Sequence, residues 1–182
     1  MRCISDDAGV TAVEFAMVAP FLILILVGIV EFGLIFSADI LLKNATYDAS
    51  RTGRTGFVTE DSTQDATVRA VVRDEAGLLM DADKITIKSA AYSGFDTLKK
   101  PEPFIDANRN GVRDDGENFT DVNGNGVYDT DQGRAGYGGK NEVVLYTVSY
   151  PWKLFTPLLG EIVGSNGVIT LNATAVVQNE PY

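Results

Sequence analysis

The residues with the clearest chemical pattern lie in an acidic stretch between Asp106 and Asp131. Asp106, Asn108, Asn110 and Asp114 place oxygen side chains at positions one, three, five and nine of a twelve-residue run, with Gly111 at six and Glu117 at twelve. Alternate side chains in such a run turn inward around one hard cation, and the glycine permits the sharp turn. The Val112 carbonyl at position seven adds a ligand, and the terminal glutamate can supply two oxygens. This is the pattern of a calcium loop. A second copy begins fifteen residues later with Asp121, Asn123, Asn125, Gly126, Val127 and Asp129, but ends in Gln132, which leaves its last ligand open. Asparagine at two inner positions of each loop keeps the charge low and predicts weak affinity, about 10⁻⁴ to 10⁻³ M. Such an ion would be structural and would be acquired outside the cell.

Other chemistry is poorly supplied. The 182-residue chain has no histidine, and its single cysteine, Cys3, stands near the N-terminus. Zinc sites and histidine-dependent triads are thereby excluded from the rest of the chain. No catalytic pair stands outside the acidic runs, so an enzyme is not expected. A net charge of -10 argues against a nucleic-acid partner, because phosphate binding depends on clustered Lys and Arg.

A second constellation lies at the N-terminus, where Gly9 is followed by Val10, three more residues, then Glu14 and Phe15. From Phe15 to Phe36 about 22 predominantly apolar residues follow, enough to span about 30 Å of hydrocarbon as a helix. A carboxylate at the mouth of such a helix is costly unless it has a partner. Cleavage after Gly9 would create a free amine at Val10, which the Glu14 of a neighbouring subunit could pair with in a low-dielectric bundle. Glu31, near the outer end of the span, is expected to face the headgroups or a neighbouring helix. Pro20 removes one helical hydrogen bond, which membrane helices tolerate.

In Gly9 to Phe15 the chain resembles type IV prepilins, whose peptidase cuts after a glycine followed by four residues and a glutamate. With AVEFAMVAPFLILILVGIVEFG and the C-terminal ITLNATAVVQNEPY, it resembles the TadE-like family, minor pseudopilins of tight-adherence pili. The resemblance covers about Gly9 to Gly56 and the last strand. It implies processing by a prepilin peptidase, assembly with other pilin and pseudopilin subunits, and a role in pilus biogenesis and surface adhesion. It also implies a single-pass inner-membrane location with the head in the periplasm or outside the cell, and entry into the filament. One departure is the leader, where Arg2 stands against Asp6 and Asp7 although prepilin leaders are usually basic. The alternative is a signal-anchored, extracytoplasmic calcium-binding adhesin that never enters a filament.

These sites need elements to hold them. Small or apolar residues at Ile40, Leu41, Ala45 and Ala49 continue the anchor helix until Gly53 or Gly56. A second helix is predicted from about Thr63 to Leu79, with Ser62 as its cap and Val68, Val71, Val72 and Leu79 on one face. Strands are predicted in KITIKSAAY from Lys84, EVVLYTVSY from Glu142 and GVITLNATAVV from Gly167. Trp152, Leu154, Phe155, Leu158 and Leu159 read as core filling broken by Pro151 and Pro157. Fifteen residues leave no room for helices around each calcium loop, so the pair resembles the helix-free loops of thrombospondin type 3 repeats.

The predicted class is therefore α+β: a long N-terminal pilin-like transmembrane helix, a packing helix, and a small antiparallel sheet with a long metal-binding insertion. Its parts are a leader at 1–9, a transmembrane and spine helix at 10–56, and an exported head at 57–182 carrying the insertion at about 93–140.

Overall fold

The apolar run from Phe15 to Phe36, continued by apolar and small residues as far as Ala49, favours one long helix in spite of Pro20. In the computed structural model, which describes residues 7–56, 63–162 and 166–181, α1 spans Asp7–Arg54 and continues through Pro20. Its last turn carries Arg51 and Arg54, cations suited to the negative end of the helix dipole. Arg2, Cys3 and Asp6 of the leader and the expected cap Ser62 lie outside the described residues.

The two halves of α1 differ in what covers them. From Val10 to Val30 nearly every side chain is exposed, and the apolar stretch is long enough to cross a membrane. From Glu31 onward a stripe at Glu31, Ile35, Ala38, Leu42, Ala45 and Ala49 is buried, with successive steps of three or four residues that keep it on one helical face. Ile40, Leu41, Ala45 and Ala49 continue the helix as expected; of these Ile40 is exposed and Leu41 half-buried, because the buried stripe runs through Leu42. Small residues at Ala38, Ala45 and Ala49 let other elements approach closely. The end of the stripe is tightest at Gly53, where a Cβ would stand 2.0 Å from the Tyr146 hydroxyl.

Helix α2, Gln64–Ala76, packs on that stripe through Val68, Val72 and Ala76. Its cap is Thr63, one residue beyond the expected Ser62; the Thr63 hydroxyl accepts the Ala66 N–H at 3.2 Å. Asp65 does not serve a capping box, because Arg69 Nε and the Tyr137 hydroxyl occupy it, each at 2.6 Å. The helix stops before Gly77, so Leu79 falls beyond it and is exposed rather than on its buried face.

The sheet covers the other side of the spine. Strands β1 (Thr86–Tyr92), β2 (Arg134–Ala135), β3 (Val143–Lys153) and β4 (Val168–Gln178) are antiparallel in the order β2-β1-β3-β4. Alternation in β3 sends Val144, Tyr146, Val148, Tyr150 and Trp152 into the core shared with α1 and α2. β1 adds Ile87 and Ala91, and β4 adds Leu171 and Ala173. β3 runs on through Pro151 to Lys153, beyond the predicted EVVLYTVSY and into the apolar segment that Pro151 was expected to break. Pairing with β1 ends at Thr86↔Ser149, so at Pro151 only β4 remains as a neighbour and a missing N–H is tolerated. The short strand β2 was not expected; it is held by two residue pairs on the outer edge of β1.

Pairing also orients the head. At one end of the sheet Tyr92, Val143 and Gln178 lie side by side, and Arg54 at the end of α1 forms an ion pair with Glu180 at 3.0 Å. At the other end, β3 leads to Phe155 and Thr156, which bond Glu31. Glu31 and Arg54 are separated by about 35 Å of helix at 1.5 Å per residue. The chain between Tyr92 and Val143 therefore leaves and returns at the pole of the head farthest from the anchor.

Candidate functional site

At that far pole the segment from Ser93 to Asn141 forms no α-helix, and short backbone pairings order it instead. Ile105 N–H donates to Asn118 O and Thr120 N–H to Pro103 O, each at 2.8 Å, with Phe104 and Phe119 bridged between them. Farther along, Glu102 N–H donates to Asp129 O at 3.0 Å and Gln132 N–H to Lys100 O at 2.9 Å. The stretch from Lys100 to Ile105 is thus a common rail for both predicted calcium loops.

The loops have matching geometry. In the first, the Asp106 carboxylate accepts the Asn110 and Gly111 N–H groups at 3.1 and 2.8 Å. In the second, Asp121 accepts those of Asn125 and Gly126 at 3.2 and 2.8 Å. Gly111 and Gly126 share φ near +79°, the left-handed conformation that glycine adopts without a Cβ clash. The side-chain amides of Asn108 and Asn110 converge on Asp114 Oδ2 at 2.6 and 2.8 Å. Those of Asn123 and Asn125 converge on Asp129 Oδ2, both at 2.6 Å. Positions three, five and nine therefore meet at one point in each loop.

Position twelve differs. Glu117 closes the first loop, accepting Ala107 N–H at 2.8 Å and Asp114 N–H at 3.0 Å. Gln132 does not meet the other donors of the second loop; it is buried, and its side-chain amide donates to Pro101 O at 3.3 Å. The second loop is closed instead by Glu102, which no local spacing singles out. Val112 and Val127 keep their side chains in solvent. Among the described residues, no group of three or more His, Cys, Asp or Glu side chains is itself drawn together as a metal site. The convergent inner donors are largely amides.

Between the loops lies a small aromatic core. The Arg113 guanidinium stands 5.0 Å from the Phe119 ring centre and 4.9 Å from that of Tyr128, close enough for cation–π attraction to both. Phe104 and Phe119 meet Tyr128 edge to face at 5.9 and 5.6 Å. Arg113 and Phe119 come from the first loop and its exit, and Tyr128 from the second, so a change of shape in either loop is felt by the other. The insertion is tied to the sheet by Tyr92, whose hydroxyl donates to Asp131 at 2.9 Å; burial, then that carboxylate, pushes the phenol up to about 12.

The N-terminal constellation is arranged differently. Gly9 and Val10 lie within α1, and Val10, Glu14 and Phe15 are exposed on a helix that no part of the head covers at that level. Glu31, expected at the headgroups or a neighbouring helix, is instead 2% exposed and turned onto its own head. It accepts the Phe155 and Thr156 N–H groups and the Thr156 hydroxyl, just ahead of the short helix α3, Pro157–Ile162. The signal for this was present in the sequence, since Glu31 stands in phase with Ile35, Ala38 and Leu42. Trp152 and Leu154 are core residues as expected, Phe155 is 71% exposed, and the side chains of Leu158 and Leu159 lie outside the described residues.

Fold and surfaces together define a membrane-anchored protein in which one helix is both span and spine of an α+β head. Residues 9–51, the anchor and most of the spine, match the family model described as TadE-like protein. No curated protein and no solved structure matches the chain.

Proposed function

We propose that the protein is a minor pseudopilin of a tight-adherence type IV pilus, cut after Gly9 by a prepilin peptidase and assembled through α1. The observation that carries this reading is the contrast along α1: its apolar surface from Val10 to Val30 is left bare by the head, with Glu14 exposed upon it. Such a surface serves a bilayer first and neighbouring helices afterward. In a helix bundle the Val10 amine of one subunit neutralises the Glu14 of the next, a pairing that sets the register of assembly. The head lies beyond the inner membrane, in the periplasm or outside the cell. Its far pole is stiffened by calcium in the two loops, whose inner donors already converge in the same way twice. Rotating the asparagine amides to present oxygen toward Asp114 or Asp129 sets like dipoles and charge against one another, an arrangement that a divalent cation reverses into attraction.

The test is mass spectrometry of the membrane-extracted protein together with Glu14→Val. A chain beginning at Val10, and a Glu14→Val protein that is cut and inserted yet absent from purified pili, are the expected results. An intact leader in the membrane protein favours an anchored calcium-binding adhesin that never enters a filament, and normal piliation by Glu14→Val rejects the pairing.

A further inference from the structure

We propose that Glu102 is the twelfth-position ligand of the second calcium loop, supplied from upstream of both loops in place of Gln132. The inference rests on the calcium reading above and deepens it. In the first loop Glu117 joins positions two and nine: its Oε1 accepts Ala107 N–H at 2.8 Å and its Oε2 accepts Asp114 N–H at 3.0 Å. In the second loop the residues at positions two and nine are Val122 and Asp129. Glu102 Oε1 accepts Val122 N–H at 2.7 Å and its Oε2 accepts Asp129 N–H at 3.1 Å. One carboxylate oxygen takes the second amide and the other takes the ninth in both loops. The two glutamates therefore make the same closing hydrogen bonds, although one is the last residue of its loop and the other precedes its loop by nineteen residues.

A second observation points to a cation. Glu102 is fully buried; it accepts the N–H groups of Val122, Asp129 and, at 3.4 Å, Asn123, but among the described residues no Lys or Arg forms an ion pair with it. Buried carboxylates are ordinarily paired with a cation or coordinate a metal, because hydrogen bonds alone recover only part of the lost hydration. Its surroundings hold it in place: Glu102 N–H bonds Asp129 O, and Gln132, which a local count makes the ligand, props the rail by bonding Pro101 O and Lys100 O. The second loop is then as acidic as the first, with Asp121, Asp129 and Glu102 matching Asp106, Asp114 and Glu117. It binds calcium with comparable affinity. Glutamine at position twelve ceases to be a defect, since the rail replaces it.

The test is calcium titration calorimetry on the full chain in detergent. Wild type is expected to bind two ions, Glu102→Gln one, and Glu117→Gln one. In the Glu117→Gln background, adding Glu102→Gln should remove the remaining site or weaken it at least tenfold, whereas adding Gln132→Glu should leave its stoichiometry at one. Circular dichroism in chelator keeps the comparison honest: Glu102→Gln should retain the secondary structure of the wild type. If it does not, Glu102→Asp, which keeps the charge but draws it back by one methylene, should still weaken the second site at least tenfold. Two sites of unchanged affinity in Glu102→Gln or Glu102→Asp overturn the inference while the calcium reading stands. A wild type that binds no calcium overturns both.

Discussion

Replacing Glu31 with leucine separates two accounts of an acid in a membrane helix by the sign of the effect. If Glu31 faces lipid, the substitution removes a residue that costs up to about 2.5–3.5 kcal/mol at the bilayer centre, and the protein becomes more stable. In the structure Glu31 is buried against its own head and accepts hydrogen bonds from Phe155 N–H, Thr156 N–H and the Thr156 hydroxyl. Leucine leaves those donors without it. The hydroxyl can rotate toward another acceptor, and water can reach the amide of Phe155, which is 71% exposed, so the loss falls chiefly on the Thr156 amide; a buried donor left unpaired costs about 1–3 kcal/mol, and Glu31→Leu should destabilise the head by about that much. That is a measurable share of a typical domain's 5–15 kcal/mol. The assay is denaturant unfolding of the full chain in detergent, followed by the emission of Trp152, the single tryptophan. Trp152 reports on the right place, because its ring lies 6.5 Å from that of Phe155. Glu31→Gln keeps an acceptor and should fall between the two. A Glu31→Leu protein as stable as wild type, or more so, refutes the docking account.

Calcium at about 10 mM should stabilise the full chain by about 1.4–2.7 kcal/mol for each loop it fills, given dissociation constants of about 10⁻³ to 10⁻⁴ M. Chelator should lower the melting temperature, Asp106→Ala should remove part of the gain, and no change in either removes the ion from the account. Gly53→Ala drives a Cβ to within 2.0 Å of the buried Tyr146 hydroxyl and should cost about 1–3 kcal/mol. Gly33→Ala meets nothing within 4 Å and should be neutral or gain about 0.5–1 kcal/mol, a matched control on the same helix. Burial, and then the neighbouring Asp48, hold the Glu75 carboxyl above its ordinary value of 4.5. A raised carboxyl favours the folded state most when protonated, so its contribution is lost as pH rises above about 4.5 through the folded value. Glu75→Gln should accordingly raise the melting temperature at neutral pH and leave it unchanged near pH 3; the reverse order of effects rejects the assignment.

Much of this architecture is legible because it depends on short-range regularities. The span is an unbroken apolar run, the strands alternate, and the two loops repeat an oxygen pattern that few other uses demand. What escapes a linear reading is set by contacts between distant segments. Ser62 and Thr63 are both sound caps, and only the packing of Val68 and Val72 against α1 decides which residue starts the helix. Pro151 looks like a strand breaker until β1 is seen to end opposite Ser149, leaving the proline beside a single neighbour. Glu31 reads as facing the headgroups or a neighbouring helix because membrane acids are judged by depth, yet its phase with Ile35, Ala38 and Leu42 marks the face that the head covers.

The same distinction bears on how the loops are held. A calcium loop that carried all its own ligands could be moved along the chain intact, and its position in the head would matter little. Here the Lys100–Ile105 rail pairs with the exit of the first loop through Phe104 and Phe119, and with the end of the second through Glu102 and Gln132. Arg113 and Tyr128 then join the two loops across the aromatic core. The first loop is closed by its own Glu117 but leans on the rail at its exit, whereas the second is closed only through the rail; the rail follows β1 by way of residues 93–99, and β1 pairs with β2 and β3. If calcium fills the loops as proposed, an ion at the far pole would stiffen a path that ends on the buried stripe of α1, and that stripe begins at Glu31, where the head meets the anchor.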